Sequence, residues 1–234
     1  MVHGRGPLGR IGAKLKEIPL HSQNSRGLVM HRLLSDWLTP EERLLKTFTR
    51  NNCKKLPNWE EWRQAEFTQL DGHQAANALG TPCKIPKSTK DNPVHVFRAQ
   101  WNRSVKAGDG TRKARCCLDG SPRAAPGLRE MVQTYANCIS QPGMRLMFAI
   151  AARDGLYVGF GDCVNAFQNA PGPTVQCFVV VDEAIADWYL DRFQKHLVPG
   201  QDCIPLKKAL QGHPEAGALW ERFAKRVCRS FRIV

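Results

Sequence analysis

The chain has 234 residues, of which 42% are apolar and 24% charged, and this composition excludes a wholly disordered protein while allowing one well-cored domain or two small ones. Its 34 Lys and Arg residues outnumber its 21 Asp and Glu residues, and the net charge of +13 predicts a polyanionic partner, nucleic acid before anionic lipid. No apolar run approaches the roughly 18 residues of a membrane span, because the best candidate, residues 144–152, is interrupted by Arg145.

The cysteines and the first residues of the chain bear on its compartment. Nine cysteines occur without a CxxC pair, and no hydrophobic signal region follows Met1. This pattern favours reduced thiols inside the cell, in the cytoplasm or nucleus, over a disulfide framework or a structural zinc site. Residues 1–56 form a basic N-terminal extension, in which residues 1–35 are expected to be a flexible arm or a polyprotein linker. An organellar transit peptide is the alternative for this basic, acid-poor stretch.

The first predicted elements are helices. Thr39-Pro40-Glu41-Glu42 combines a capping hydroxyl, a proline in the first turn and two acids at the positive end of the helix dipole, and it predicts a helix to about Arg50. A second helix is predicted from Asn58, with apolar residues at rough helical spacing. We expect Asp71-Gly72 to end it.

A β-hairpin with basic arms is predicted next. Residues 94–106 form the first strand, residues 107–110 the turn and residues 111–118 the returning strand. Lys113 and Arg115 share one face, because side chains alternate along a strand. Two cations on one face could hold a triphosphate or a nucleic-acid backbone. A solvated edge strand that is protected by charge remains the alternative.

The remainder of the chain predicts an α+β fold. Residues 126–154 contain two helical stretches, and the second, Met144 to Asp154, is apolar almost all round and is therefore expected to be buried. A strand over residues 156–162 is predicted to pair with one over residues 175–181, and two further helices follow, over about 183–196 and 214–229. This order of elements fits an α+β fold better than alternating βαβ units.

Two further groups of residues have the chemistry of a site. Asp162 ends a predicted strand, where a carboxylate can bind Mg²⁺. A turn or cap residue is the alternative for this position. The segment from Leu206 to Trp220 contains a Lys pair and His213, which precedes Pro214 and is interpreted as a residue at the start of the last helix, without chemistry.

Four blocks of the sequence resemble one protein family in their order and spacing. They are Trp59 to Leu70, Trp101 to Arg115 with its Asp109-Gly110 and Lys113-Ala114-Arg115, Arg145 to Ala170, and Leu206 to Trp220. Together they resemble the copia-type retrotransposon reverse transcriptase, in which the last three blocks read KWVFK…DG…YKARLVAKG, IRLLLALAA…DVKTAFLNG and LKKSLYGLKQxPRxW. The resemblance implies a partial reverse-transcriptase domain, fingers and first half of the palm, over residues 57–234.

The resemblance also implies roles for individual residues. Asp162 matches the first catalytic carboxylate of the palm, a ligand shared by two Mg²⁺ ions that promote attack of the primer 3′-hydroxyl. Phe167 matches the aromatic that closes the sugar pocket against a ribose 2′-hydroxyl. Lys113 and Arg115 match the cations that hold the dNTP triphosphate. Gln211-Gly212 lies in the block next to the template and primer, so the implied partners are an RNA template, a DNA primer and dNTP.

Several positions depart from the family pattern. The sequence has no Tyr-x-Asp-Asp motif, which supplies the other catalytic carboxylates, so we expect that this chain alone does not polymerise DNA. Asp119 replaces a Lys, and the residues around Gln211 and His213 do not reproduce Tyr-Gly-Leu-Lys-Gln. We therefore expect an inactive, marginally stable reverse-transcriptase fragment. The alternatives are a non-catalytic remnant that binds nucleic acid, and a structural protein whose basic face is only solvated.

Overall fold

Helices and strands are mixed along the chain in an α+β arrangement, as the sequence predicts. The structure is a computed structural model that describes residues 37–89, 93–159 and 162–230. Its contacts divide the described residues into two units, one of residues 37–46 with 105–111 and the other of the remaining described residues. Most of the predicted basic extension therefore lies outside the described residues.

The first unit contains a short capped helix. Helix α1 spans Pro40–Arg43, and the backbone N–H of Glu42 donates to Thr39 Oγ1 at 3.2 Å while the N–H of Thr39 donates to Glu42 Oε2 at 2.8 Å. This reciprocal capping box confirms the predicted start. The predicted end at Arg50 is wrong, because Leu44 already caps α1 at its C-terminal end.

The second unit begins with two further helices. Helix α2 spans Arg50–Cys53 and has its own cap, because Asn52 N–H donates to Thr49 Oγ1 at 3.3 Å. Helix α3 spans Trp59–Ala75. The predicted end at Asp71-Gly72 is therefore wrong, because the helix continues beyond it. The chain leaves the helix at Asn77, whose positive φ of 52° is the left-handed conformation that follows many helices.

Four strands follow α3. Strand β1 spans Cys83–Lys84, β2 spans His95–Phe97, β3 spans Ala99–Val105 and β4 spans Arg112–Leu118. Strands β3 and β4 pair as a two-stranded sheet, so the predicted hairpin is confirmed. The predicted first arm is in fact two strands, because β2 pairs in a different sheet.

The next helices correct one prediction about burial. Helix α4 spans Leu128–Met131, and α5 spans Gln141–Arg153, with Ser140 Oγ accepting from Gly143 N–H as its cap. Of the α5 residues only Ala151 is buried, and the exposed apolar side chains are Met144, Leu146, Met147, Phe148 and Ile150. The helix is therefore not a core helix, because the described residues do not cover it.

The last elements complete a four-stranded sheet. Helix α6 spans Ala166–Asn169, β5 spans Cys177–Val180, α7 spans Glu183–Phe193, β6 spans Asp202–Pro205 and α8 spans Ala216–Ser230. The strand order is β1-β6-β5-β2, in which β5 is parallel to β2 and the other pairs are antiparallel.

The strand predicted before Asp162 is not observed. Residues 156–159 and 162 are not in a strand, and the two residues between them lie outside the described part of the chain. Strand β5 instead pairs with β2, in the register Val96↔Phe178, and with β6, in the register Val179↔Ile204. These partners are distant in sequence, which local patterns do not reveal.

The core of the second unit lies where α3 packs against β4 and α7. Apolar residues from the helices and from both sheets meet there, among them Phe67, Leu70, Phe97, Leu118, Leu128, Val179, Ile185, Trp188 and Ile204. None of the helices in the described ranges is long and apolar enough to cross a membrane.

Candidate functional site

The outward face of the β3–β4 hairpin has two free cations. Lys113 and Arg115 are exposed, and they alternate with the buried Ala114 and Cys116, as the two-residue period of a strand requires. Neither cation forms an ion pair with any residue that the structure describes, whereas the neighbouring Arg112 pairs with a carboxylate of α3 at 3.3 Å. The two predicted phosphate-binding residues are therefore available to a ligand.

The same face of the hairpin carries polar groups and no acid. Its outward side chains are Gln100, Asn102 and Ser104 on β3, and Lys113 and Arg115 on β4, which together we call the hairpin face. Its formal charge is +2. Amides and hydroxyls beside unpaired cations are the groups with which proteins bind phosphate oxygens and sugars.

The Gln211-Gly212 block packs directly on the end of this hairpin. The backbone N–H of Leu118 donates to the Gln211 carbonyl at 2.7 Å, and Cys117 Sγ lies 3.7 Å from Gln211 Oε1. Gly212 has a φ of +88°, and a Cβ at this position would lie 2.1 Å from the Leu118 carbonyl oxygen. Only glycine allows this approach, so two blocks about 95 residues apart in the chain are held in contact.

Asp162 lies on an exposed segment before α6. Residues 162–165 are exposed, and Asn165 has a φ of +53° where the helix begins. No hydrogen bond or ion pair joins Asp162 to another residue that the structure describes. Phe167 is half-buried and packs against a small apolar cluster formed by Ala170, Ala209, Ala216 and Leu219. The ring therefore has packing partners here that the sequence did not indicate.

The segment from Leu206 to Ala216 contacts both parts of the candidate site. It meets the end of β4 through Gln211, and it meets α6 because Lys208 Nζ donates to the Ala170 carbonyl at 2.8 Å. The structure thus joins the hairpin and the end of α6 to one intermediate segment. No ion pair or hydrogen bond joins Asp162 to Lys113 or Arg115, all three of which the structure describes.

The described residues do not fit a two-metal site. No group of three or more His, Cys, Asp or Glu side chains among them could hold a metal ion. Asp162 would be a single carboxylate ligand, and two Mg²⁺ ions need more than one. The Mg²⁺ implied by the resemblance therefore has an incomplete site in the described part of the chain.

A buried histidine links α6 to α3. His73 Nδ1 lies 3.2 Å from Gln168 Nε2, and both residues are buried. Burial lowers the pKa of His73 to about 4, so the ring is neutral near pH 7 and can accept this hydrogen bond. No motif in the sequence marks His73, although its position three residues after Leu70 places it on the buried face of α3.

A buried ion network lies at the base of the hairpin. Glu66 is fully buried and accepts from Arg103 Nε at 2.8 Å and from Arg50 Nε at 3.1 Å. Arg50 also donates to Asp187 at 2.6 Å and to Glu183 at 3.1 Å. These arginines line a cleft of about 730 Å³. No local pattern in the sequence indicates this network, because its partners are 16 to 137 positions apart.

His213 and Cys177 form a close pair with structural character. His213 Nε2 lies 3.4 Å from Cys177 Sγ, and His213 Nδ1 accepts from the Glu215 N–H at 3.2 Å. Burial lowers the pKa of His213 to about 4 and raises the pKa of Cys177 to about 12. The thiol is therefore protonated and a poor nucleophile. This geometry fits the interpretation of His213 as a residue that begins the last helix.

Comparison with known proteins does not add a relative to this picture. The chain matches no protein-family model, no curated protein and no solved structure. The resemblance to copia-type reverse transcriptases therefore rests on the four sequence blocks. The contacts among the hairpin, the Gln211-Gly212 block and α6 are the structural observations that bear on it.

Proposed function

We propose that this chain is a copia-type reverse-transcriptase fingers and partial palm, and that its hairpin face binds the phosphates of nucleic acid or dNTP. The observation that carries the proposal is the pair of exposed, unpaired cations Lys113 and Arg115 on a face without acids. Arginine offers a planar fork to phosphate oxygens, and lysine adds a compact charge beside it. The net charge of +13 favours the same class of partner.

The contact between the hairpin and the Gln211-Gly212 block supports the family part of the proposal. In the sequence these two blocks match separate motifs of the family. In the structure Leu118 N–H binds the Gln211 carbonyl at 2.7 Å, and the positive φ of Gly212 allows the approach. A nucleotide on the hairpin face would therefore have the Gln211 amide at one end of its binding surface.

Polymerisation by this chain alone is not part of the proposal. The reaction requires metal ions that stabilise both the attacking and the leaving oxygen, and these ions need several carboxylates. Asp162 is exposed, and among the described residues it belongs to no group of three or more His, Cys, Asp or Glu side chains that could hold a metal ion. We therefore assign Asp162 no catalytic step in the isolated chain.

A second candidate function is binding of nucleic acid without any nucleotide specificity. The isolation of Asp162 favours this alternative, because nothing then links phosphate binding to metal binding. The two candidates differ in one measurable respect. A retained fingers site would bind dNTP in competition with nucleic acid, whereas a general polyanion surface would show only a steep dependence on salt.

Fluorescence anisotropy with a labelled oligo(dT) annealed to poly(rA) tests the proposal. We expect the double variant Lys113→Ala/Arg115→Ala to bind at least tenfold more weakly, with a salt slope shallower by roughly 1 to 2, since each lost phosphate contact removes about 0.9. Lys195→Ala is the matched control, because Lys195 is exposed and outside the hairpin face. Equal losses in the two variants would contradict a specific hairpin site.

Primer extension on the same duplex tests the statement about catalysis. We expect no extension with Mg²⁺ from the native chain or from Asp162→Asn, while both bind the duplex equally. Displacement of the duplex by dTTP at constant ionic strength would favour the fingers site over the general surface. Extension by the native chain that disappears in Asp162→Asn would overturn the proposed absence of catalysis.

A further inference from the structure

Two cysteines face each other across the edge of the four-stranded sheet. Strand β1 is the edge strand and pairs antiparallel with β6, and Cys83 is the direct partner of Cys203 in this register. Their sulfur atoms are 3.7 Å apart. This separation is a contact between two thiols, and the sulfurs would have to approach to about 2.05 Å in a disulfide.

The strand pairing gives a backbone separation suited to a disulfide. Ile85 N–H donates to the Gln201 carbonyl at 3.2 Å, so that pair is hydrogen-bonded, and the alternation of antiparallel pairs makes Cys83 and Cys203 a hydrogen-bonded pair as well. The Cα atoms of such pairs are about 5.5 Å apart. Disulfides span Cα separations of roughly 4.4 to 6.8 Å. The inferred Cα separation of this pair therefore lies within the disulfide range.

The two thiols differ in their access to an oxidant. Cys83 is exposed, whereas Cys203 is fully buried and burial raises its pKa to about 12. An oxidant from solution therefore meets Cys83 first. Cys203 is the group within reach that can complete the bond, and its reaction should accelerate as the pH rises and more thiolate forms.

We propose that Cys83 and Cys203 form a reversible disulfide when the chain meets a low-molecular-weight disulfide such as oxidised glutathione. In the first step the Cys83 thiolate attacks one glutathione sulfur, the glutathione S–S bond breaks, and one glutathione thiolate leaves and takes up a proton. In the second step the Cys203 sulfur attacks Cys83 Sγ, loses its proton and displaces the second glutathione. Two cysteine thiols are oxidised, and one glutathione disulfide is reduced to two thiols.

The proposed bond lies in a different sheet from the proposed nucleic-acid site. Strand β1 and its partner β6 belong to the four-stranded sheet, whereas the hairpin face belongs to the two-stranded sheet. The bond would tie the two-residue strand β1 to β6 and so close a long loop of chain between Cys83 and Cys203. A crosslink of this kind restricts the unfolded chain and should raise the midpoint of thermal unfolding. It adds an oxidised state to a chain whose thiols we otherwise expect to be reduced.

Peptide mapping of the full chain after exposure to oxidised glutathione tests the proposal. We expect two of the nine cysteines to lose reactivity toward a thiol reagent in denaturant, a linked Cys83–Cys203 peptide in the mass spectrum, and recovery of both thiols with dithiothreitol. The native chain suffices for this measurement, so a folding defect in a variant cannot obscure it. Glutathione that remains on Cys83, or a link through other cysteines, would overturn the proposal.

Single serine variants sharpen the result. Cys83→Ser and Cys203→Ser should each abolish the linked peptide and the oxidant-dependent rise in the unfolding midpoint. Cys138→Ser is the matched control, because Cys138 is also exposed but has no described cysteine sulfur as partner. A rise in the unfolding midpoint that persists in Cys83→Ser would show that another modification causes it.

Discussion

The backbone N–H of Leu118 and the carbonyl oxygen of Gln211 are joined by a hydrogen bond of 2.7 Å. Leu118 is the last residue of β4, the strand that carries Lys113 and Arg115, and Gln211 belongs to the separate block that leads into α8. The position of one predicted ligand-binding block is thus fixed by the other. The contact between the two blocks is made by backbone atoms, and it depends on Gly212, the residue after Gln211.

Gly212→Ala should destabilise this junction strongly. The new Cβ would lie 2.1 Å from the Leu118 carbonyl oxygen, and the φ of +88° is unfavourable for any residue with a Cβ. We expect the free energy of unfolding to fall by about 3 kcal/mol, the sum of a steric and a backbone cost. Urea unfolding measures it.

Gly200→Ala separates the two costs. Gly200 also has a positive φ, of +75°, but a Cβ there would meet nothing within 4 Å. Its loss should be about 1 kcal/mol, from the backbone alone. Equal losses for the two variants would mean that the chain does not pack closely at Gly212.

Glu66→Gln should be among the most damaging single changes in the chain. The substitution keeps the shape of the side chain but removes the charge that balances Arg103, whose side chain is 4% exposed, and Arg50, at 10%. Breaking one partner of a buried ion pair costs about 3 to 5 kcal/mol, because the remaining charge stays buried. Urea unfolding at neutral pH gives the difference directly.

Glu60→Gln on the same helix is the control for that prediction. Glu60 pairs with Arg63 at 3.0 Å, but its side chain is 62% exposed. An exposed pair of this kind contributes less than about 1 kcal/mol. A small effect at Glu66 as well would show that water reaches the network in solution.

Local signals explain which elements the sequence predicted correctly. Helix α3 follows from helical spacing of its apolar residues, and the hairpin turn follows from Gly108 and Gly110, both of which have positive φ. Lys113 and Arg115 share a face because strands alternate. Each of these features depends on residues a few positions apart, which is the distance over which a sequence pattern carries information.

The remaining features depend on partners that are distant in sequence. Strand β5 pairs in parallel with β2, and no local pattern indicates that pairing in place of the predicted partner before Asp162. In the sequence, Glu66 looks like any acidic residue of a helix. Its partner Arg103 is 37 positions away, and only the fold brings the two side chains together. Helix α5 is apolar on most sides, so its exposure to water is costly. This pattern does not indicate whether another part of the chain covers the helix, and the described residues do not.

Acidification should destabilise the fold between about pH 6.5 and pH 4. Burial lowers the pKa of both His73 and His213 to about 4, below the value of 6.5 for a free imidazole. As the pH falls through this window the unfolded chain binds protons that the folded chain does not, so the free energy of unfolding decreases. Each histidine contributes up to about 3 kcal/mol of this loss.

Chemical denaturation at pH 7.0, 6.0 and 5.0 measures this dependence. His73→Gln should be less stable at pH 7.0 but should lose less stability on acidification than the native chain. His196→Gln, at an exposed position, is the control. The interpretation fails if the native chain and His73→Gln lose the same free energy between pH 7.0 and 5.0.

Leu146→Ser on α5 should leave stability nearly unchanged while reducing exposed apolar surface. Leu146 is 62% exposed, so the substitution removes few packing contacts and should change the free energy of unfolding by no more than about 0.5 kcal/mol. Leu70→Ala in the core should cost about 2 to 5 kcal/mol.

The native chain should bind a dye for apolar surfaces and aggregate with increasing concentration, and Leu146→Ser should weaken both effects. A loss of stability at Leu146 comparable to that at Leu70 would instead show that a partner covers α5 in solution, because only a packed leucine is so costly to remove.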